Sequence, residues 1–195
     1  MDFWKLIESS KSGRVTTDDV EGQLKELQHS MASLSLEELK TFEMELRRVL
    51  HELYRGDVVD LCIMLDNDFE TKDGVIVFED GISDEWFLYF RCWLVLQGKQ
   101  FFDALAESIE NIVDHSVDIA DTWGEGLLYV ADEVYASQNK EAAEFFVSES
   151  ISAMGKPTDY DNPDEELKGE PQYIDHALHY PKIVKRISEI KDSLD

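Results

Sequence analysis

Basic residues are what this chain has least of where they would matter most: between Lys99 and Lys140 it runs 40 residues without a lysine or arginine. The scarcity is general, with 18 basic residues against 43 acidic ones and a formal charge of −25 over 195 residues. Such a field repels nucleic-acid phosphates and anionic lipid headgroups, so neither a nucleic acid nor a membrane surface is expected as a partner. Cysteine is scarce too. Cys62 and Cys92 sit inside apolar helical patterns without metal-ligand spacing, which reads as two small buried hydrophobes and no disulfide. No stretch approaches the ~18 uninterrupted apolar residues of a membrane span, and Met1-Asp2-Phe3-Trp4-Lys5 lacks the pattern of a secretory leader. These absences lead to the expectation of a reduced, cytoplasmic protein. Also missing are a nucleophile elbow, a phosphate loop and a dinucleotide fingerprint, so no cofactor and no catalytic residue is expected.

What is present is enough to fold. A hydrophobic fraction of 43% with 11% aromatics is ordinary for a globular chain, and the length suits one domain. Val20, Leu24, Leu27 and Met31 step by four, three and four, which is one stripe of an amphipathic helix. Ser35 followed by Glu38 forms a capping box ahead of Leu39, Phe42, Leu46, Val49 and Leu53. Gly56 suggests a break before Val58, Leu61, Cys62 and Leu65. From Asp66 the periodicity fails. The run Val75 to Phe78 has strand character, but no pairing partner is evident, so 66–82 reads as an acidic loop insertion. Ser83, Asp84 and Glu85 open a helix whose Trp86, Phe87, Phe90, Trp93 and Leu94 are too many large side chains for a surface; Gly98 ends it. Further helical patterns follow through Phe101, Leu105, Leu128 and Val134, and another after Asn139. Residues 155–172 have the composition of a Pro/Gly-rich acidic loop, and a C-terminal helix over 181–195 starts at Pro181. The expected fold is therefore mainly α: a single-domain multi-helix bundle spanning 1–195.

Within the base-free stretch, carboxylates recur at Asp103, Glu107, Glu110, Asp114, Asp118, Asp121 and Glu125. Steps of three and four would line one helix face, with breaks conceivable at Ser108 and at His115-Ser116. Adjacent like charges at this spacing repel by about 0.2–0.5 kcal/mol per pair, so the stripe contributes nothing to folding and reads as a surface for a cationic partner. Rim charges mainly set the association rate, so affinity needs apolar anchors, and Trp123 and Tyr129 stand in the same stretch.

Other constellations have simpler explanations. Ser83-Asp84-Glu85 followed by Arg91 has the residue types of a chemical site, but a helix cap, dipole complements and a paired or stacked arginine account for all four. His176 and His179 have i, i+3 spacing but too few companions for zinc, and a capping or surface role is expected. Asp159, Asp161 and Asp164 lack the glycine that a calcium loop requires at its sixth position. No metal is expected.

The run Ser83-Asp84-Glu85-Trp86-Phe87-Leu88-Tyr89-Phe90-Arg91-Cys92-Trp93-Leu94-Val95-Leu96-Gln97-Gly98 resembles the signature of a bacterial family catalogued as "domain of unknown function 4240". That signature reads Ser-Asp-Asp, a Phe, Phe-Arg-x-Trp-Leu and Gln-Gly; here Ser83, Asp84, Phe87, Phe90, Arg91, Trp93, Gln97 and Gly98 carry it. Phe3-Trp4 with Leu6-Ile7, Phe42, Tyr54, Leu128 to Ala131, Tyr135 and Tyr180-Pro181 follow in similar order. The chain departs at Arg55-Gly56-Asp57-Val58-Val59, where the family usually has tryptophans, and its acidic segment 66–81 is longer. The resemblance implies a mainly helical fold and a bacterial source, and no mechanism.

The functional expectation is a non-catalytic protein that binds and neutralises or regulates a basic protein, in the manner of an immunity protein against a cationic toxin. A stress-response or housekeeping interaction module, and an enzyme with an unrecognised helical site, are the alternatives. Oligomeric state is not readable from the pattern.

Overall fold

A computed structural model describes residues 1–16, 19–73, 75–79, 81–115, 122–139, 146–153 and 166–191. The fold is mainly α. Helices α1 (Phe3–Ser10), α2 (Val20–Met31) and α3 (Leu36–Glu52) come first, with α1 packed on α2. The Ser35 capping box is complete, with Ser35 Oγ accepting from Glu38 N and Glu38 Oε2 accepting from Ser35 N at 2.9 Å. The backbone turns after Leu53 and α4 (Gly56–Asp66) follows, apolar almost all round because it is buried almost all round. Next come a hairpin of β1 (Phe69–Lys72) and β2 (Val75–Phe78), then α5 (Asp84–Leu96) and α6 (Lys99–Glu107). A 3-10 turn at Ile109–Asp114 and another at Glu125–Leu128 precede α7 (Val130–Gln138) and α8 (Val147–Ser152). The one-turn α9 (His176–His179) and α10 (Pro181–Lys191) close the chain.

Phe42, Phe90 and Trp93 are among the largest fully buried side chains, with Leu39, Leu46, Leu50 and Leu61 around them. Burial of each is worth roughly 1.5–3 kcal/mol relative to exposure. Of the aromatic and aliphatic residues expected in the core, Phe87, Phe90, Trp93, Leu94, Phe101, Leu105, Leu128 and Val134 are all there. Trp86 is not, and remains 42% exposed. Cys62 and Cys92 are buried free thiols.

Residues 66–82 are not a strandless loop. Phe69 pairs with Phe78 and Lys72 with Val75 in antiparallel register. The partner strand, Phe-Glu-Thr-Lys, carries no strand signal in its sequence, because three of its four side chains are exposed and its apolar alternation is lost. Within the expected loop at 155–172, residues 155–165 lie outside the described residues. Residues 166–172 have no helix, and Lys168 bridges to Arg55, its N–H donating to Tyr54 O at 3.2 Å and its carbonyl accepting from Gly56 N at 3.0 Å.

This C-terminal segment is fastened by one buried carboxylate. Asp60 Oδ1 and Oδ2 accept from Gln172 N at 2.9 Å, from Tyr173 N at 3.0 Å and from the Tyr180 hydroxyl at 2.8 Å, with His176 Nε2 at 3.3 Å. Burial acts to raise the Asp60 pKa, but the hydrogen bonds from His176, the two amides and Tyr180 outweigh it and hold the carboxyl below the usual range. His176 is thus an interior hydrogen-bonding group and neither a cap nor a surface residue; His179 is exposed. Beyond it, Ile183, Val184 and Ile187 bury the inner face of α10 against α4 and the 109–114 turn.

Candidate partner-binding surface

The carboxylate stripe does not run along one helix. Ser108 adopts an extended conformation (φ −166°, ψ 137°), ends α6 and caps the next turn, accepting from Glu110 N at 3.3 Å. Asn111 Nδ2 donates at 3.2 Å to Ala104 O, the same carbonyl that accepts the last bond of α6 from Ser108 N at 3.2 Å. The extended Ser108, whose side chain caps the next turn, breaks the helix, and the face splits. Asp103 is occupied by Lys99 Nζ at 2.6 Å, and Glu110 Oε1 accepts from Lys182 N at 2.8 Å at the start of α10. Glu107 and Asp114 are exposed; Asp118 and Asp121 lie outside the described residues.

The signature positions within the Ser83–Gly98 run have structural roles. Ser83 Oγ accepts from Trp86 N at 3.1 Å as the α5 cap, and Asp84 and Glu85 occupy the first turn. Arg91, 2% exposed, donates from Nη1 to Leu50 O at 3.1 Å and lies over the rings of Tyr54 (5.1 Å) and Phe87 (4.8 Å). A guanidinium so enclosed satisfies the end of α3 and cannot meet a substrate. Gln97 Nε2 donates to Trp93 O at 3.0 Å. Gly98 stands at φ +95°, where a Cβ would also collide with the Glu8 carboxylate that accepts from Lys99 N.

The three remaining expected residues, Trp123, Glu125 and Tyr129, come together, and α5 adds Trp86, Tyr89 and Glu85. Gly124 makes this possible. It lies so close to α5 that a Cβ would run into the backbone at Cys92 and Trp93, and its N–H donates to Tyr89 O at 3.1 Å. Trp123 is thereby laid against Tyr89 (centroids 4.6 Å apart) and Trp86 (5.1 Å, 83° between planes). Asp66, at the end of α4, ties the two sides: its Oδ2 accepts from Trp86 Nε1 at 2.8 Å and its Oδ1 from the Thr122 hydroxyl.

On the outer edge, Glu125 accepts from Trp123 Nε1 at 3.3 Å and from the Tyr129 hydroxyl at 3.0 Å, while Glu85 accepts from the Tyr89 hydroxyl at 2.8 Å. Burial first, then these carboxylates, push the Tyr89 and Tyr129 hydroxyls above their ordinary pKa. Both tyrosines feel both Glu85 and Glu125, so the two acids share one edge. Trp86, Trp123 and Tyr129 are 42%, 38% and 46% exposed. The result is a surface of aromatic faces rimmed by negative charge.

Sequence reasoning missed Trp86 because its place in the helical period matches the core side. At the third residue of α5, however, no preceding turn lies over it, and its indole reaches across to Asp66 instead. The available signal was that 73–90, like 100–139, contains no lysine or arginine. Elsewhere, a shallow apolar cleft is lined by Leu65, Ile112, Ile183 and Ile187. Among the described residues no group of three or more His, Cys, Asp or Glu could hold a metal ion, and no helix is long and apolar enough to cross a membrane.

Fold and surface together define a mainly α protein with an aromatic, carboxylate-rimmed patch on one side. The chain belongs to the family described as "Protein of unknown function (DUF4240)", whose model matches residues 1–137. Both segments that build the patch lie inside the match; the segment held by Asp60 lies outside it. No curated protein and no solved structure matches the chain.

Proposed function

We propose that the protein is a non-catalytic interaction protein that captures a basic protein partner and occludes its cationic surface, as an immunity protein does with a toxin that grips an anionic substrate. The observation that carries this reading is the exposed Trp86–Trp123–Tyr129 surface with Glu85 and Glu125 on its rim. Exposed aromatics of this size supply affinity at the centre of an interface, and the charge around them supplies steering. Support from the long acidic stripe is weaker than its sequence suggested, since Asp103 and Glu110 are committed within the fold.

The test is affinity capture with the intact chain, identification and purification of any stoichiometric partner, and binding kinetics with variants. The reading requires a basic partner whose association slows as salt rises and whose complex is lost in Trp123→Ala with the fold retained. A partner bound equally well by Trp123→Ala and by the Glu85→Gln/Glu125→Gln variant would refute it.

A further inference from the structure

We infer that the Trp86–Trp123–Tyr129 surface receives an arginine side chain of the partner, stacked on an indole face and hydrogen-bonded to Glu85 and Glu125. The inference rests on the proposed basic partner and names the group that the patch recognises.

Its first support is the direction of the hydrogen bonds. The side-chain donors of the patch are already given away to carboxylates: Trp86 Nε1 to Asp66, Trp123 Nε1 and the Tyr129 hydroxyl to Glu125, the Tyr89 hydroxyl to Glu85. What the patch offers outward is π faces and carboxylate lone pairs. Among the described residues of the patch, a phosphate, a carboxylate or an amide carbonyl finds no side-chain donor that is not already given to a carboxylate. The complement is a group that donates only, and the side chains that are fully cationic donors at neutral pH are the guanidinium of arginine and the ammonium of lysine.

The second support is shape. Two indoles at 83° present flat faces, and a planar, weakly hydrated guanidinium stacks on such a face while its fork of N–H groups bonds at the edge. The ammonium is compact and strongly hydrated, and a half-exposed patch does not strip its water. Geometry also favours a pre-formed site. Both indole N–H groups are anchored to carboxylates and Gly124 fixes the Trp123 backbone against α5, so little side-chain freedom is lost on binding.

The third support is charge. The two segments that supply the patch, 73–90 and 100–139, contain no lysine or arginine, so no basic side chain of these segments competes for Glu85 or Glu125.

The experiment titrates the ¹⁵N-labelled full chain with acetyl-Gly-Arg-Gly-amide and with its lysine and citrulline counterparts, following the four tryptophan indole resonances. Trp86→Phe and Trp123→Phe assign the two patch signals; Trp4 and Trp93 serve as internal controls. The arginine peptide is expected to shift the Trp86 and Trp123 resonances alone, to bind about tenfold more tightly than the lysine peptide, and to lose that binding in Glu85→Gln/Glu125→Gln. The neutral citrulline peptide, equal in shape, should leave all four in place. Equal shifts from lysine and arginine would overturn guanidinium selection while leaving a basic partner in force. Shifts spread over all four indoles, or none, would overturn the arginine site; a captured basic partner would then have to bind elsewhere on the molecule.

Discussion

Arg91 brings a positive charge into the interior, and the surrounding residues answer it with a carbonyl at a helix end and two aromatic faces. Replacing it with alanine removes the donor to Leu50 O and the packing over Tyr54 and Phe87. Arg91→Ala should therefore destabilise by roughly 3 kcal/mol, read as a lower urea midpoint by circular dichroism. Gly98→Ala should lose about 1–3 kcal/mol, because φ +95° strains any Cβ and the Glu8 carboxylate occupies the space. The roles of Ser83, Phe90, Trp93 and Gly98 were legible in sequence, since caps, core periodicity and a stop glycine are local signals. The placement of Trp86 was not, because a helical period assigns a direction without saying whether another element covers the first turn.

Elements were legible where their signals were local and failed where a partner was remote. The capping box of α3 and the start of α10 at Pro181 follow from neighbouring residues. The β1–β2 pairing was hidden because Phe69–Lys72 is mostly exposed and lacks apolar alternation, whereas Ser108, where the acidic stripe splits, is one of the two breaks its sequence suggests. The hold of Asp60 on Gln172 to Tyr180, more than 110 residues away, left no mark in the sequence pattern. Because the folded Asp60 pKa is depressed, its contribution is fully present above the unfolded value near ~3.9 and is lost as pH falls through the folded value below it. Amides of 172–180 should thus stay protected from hydrogen exchange at neutral pH and open only under more acidic conditions. Asp60→Asn, which turns one acceptor into a donor facing donors, should open them at neutral pH at a cost of about 1–3 kcal/mol. Unchanged protection in that variant would remove Asp60 as the fastening.

For the whole molecule, a charge of −25 serves solubility wherever it lies, and it serves recognition only where it surrounds something able to bind. The place our proposal assigns to recognition is the patch between α5 and the 125–128 turn, whose residues sequence spacing indicates only in part: Trp123, Glu125 and Tyr129 are indicated, whereas Glu85 and Trp86 come from α5. The central claim is that these residues, and not the acidic surface at large, receive the partner. The most direct test measures the association rate of the purified basic partner with the wild-type chain, with Glu85→Gln/Glu125→Gln and with the charge-matched Asp103→Asn/Glu107→Gln. The patch variant should slow association by roughly tenfold at low salt while the matched variant stays near wild type. Equal slowing in the two variants would contradict the account, since it would make total charge the only property the partner senses.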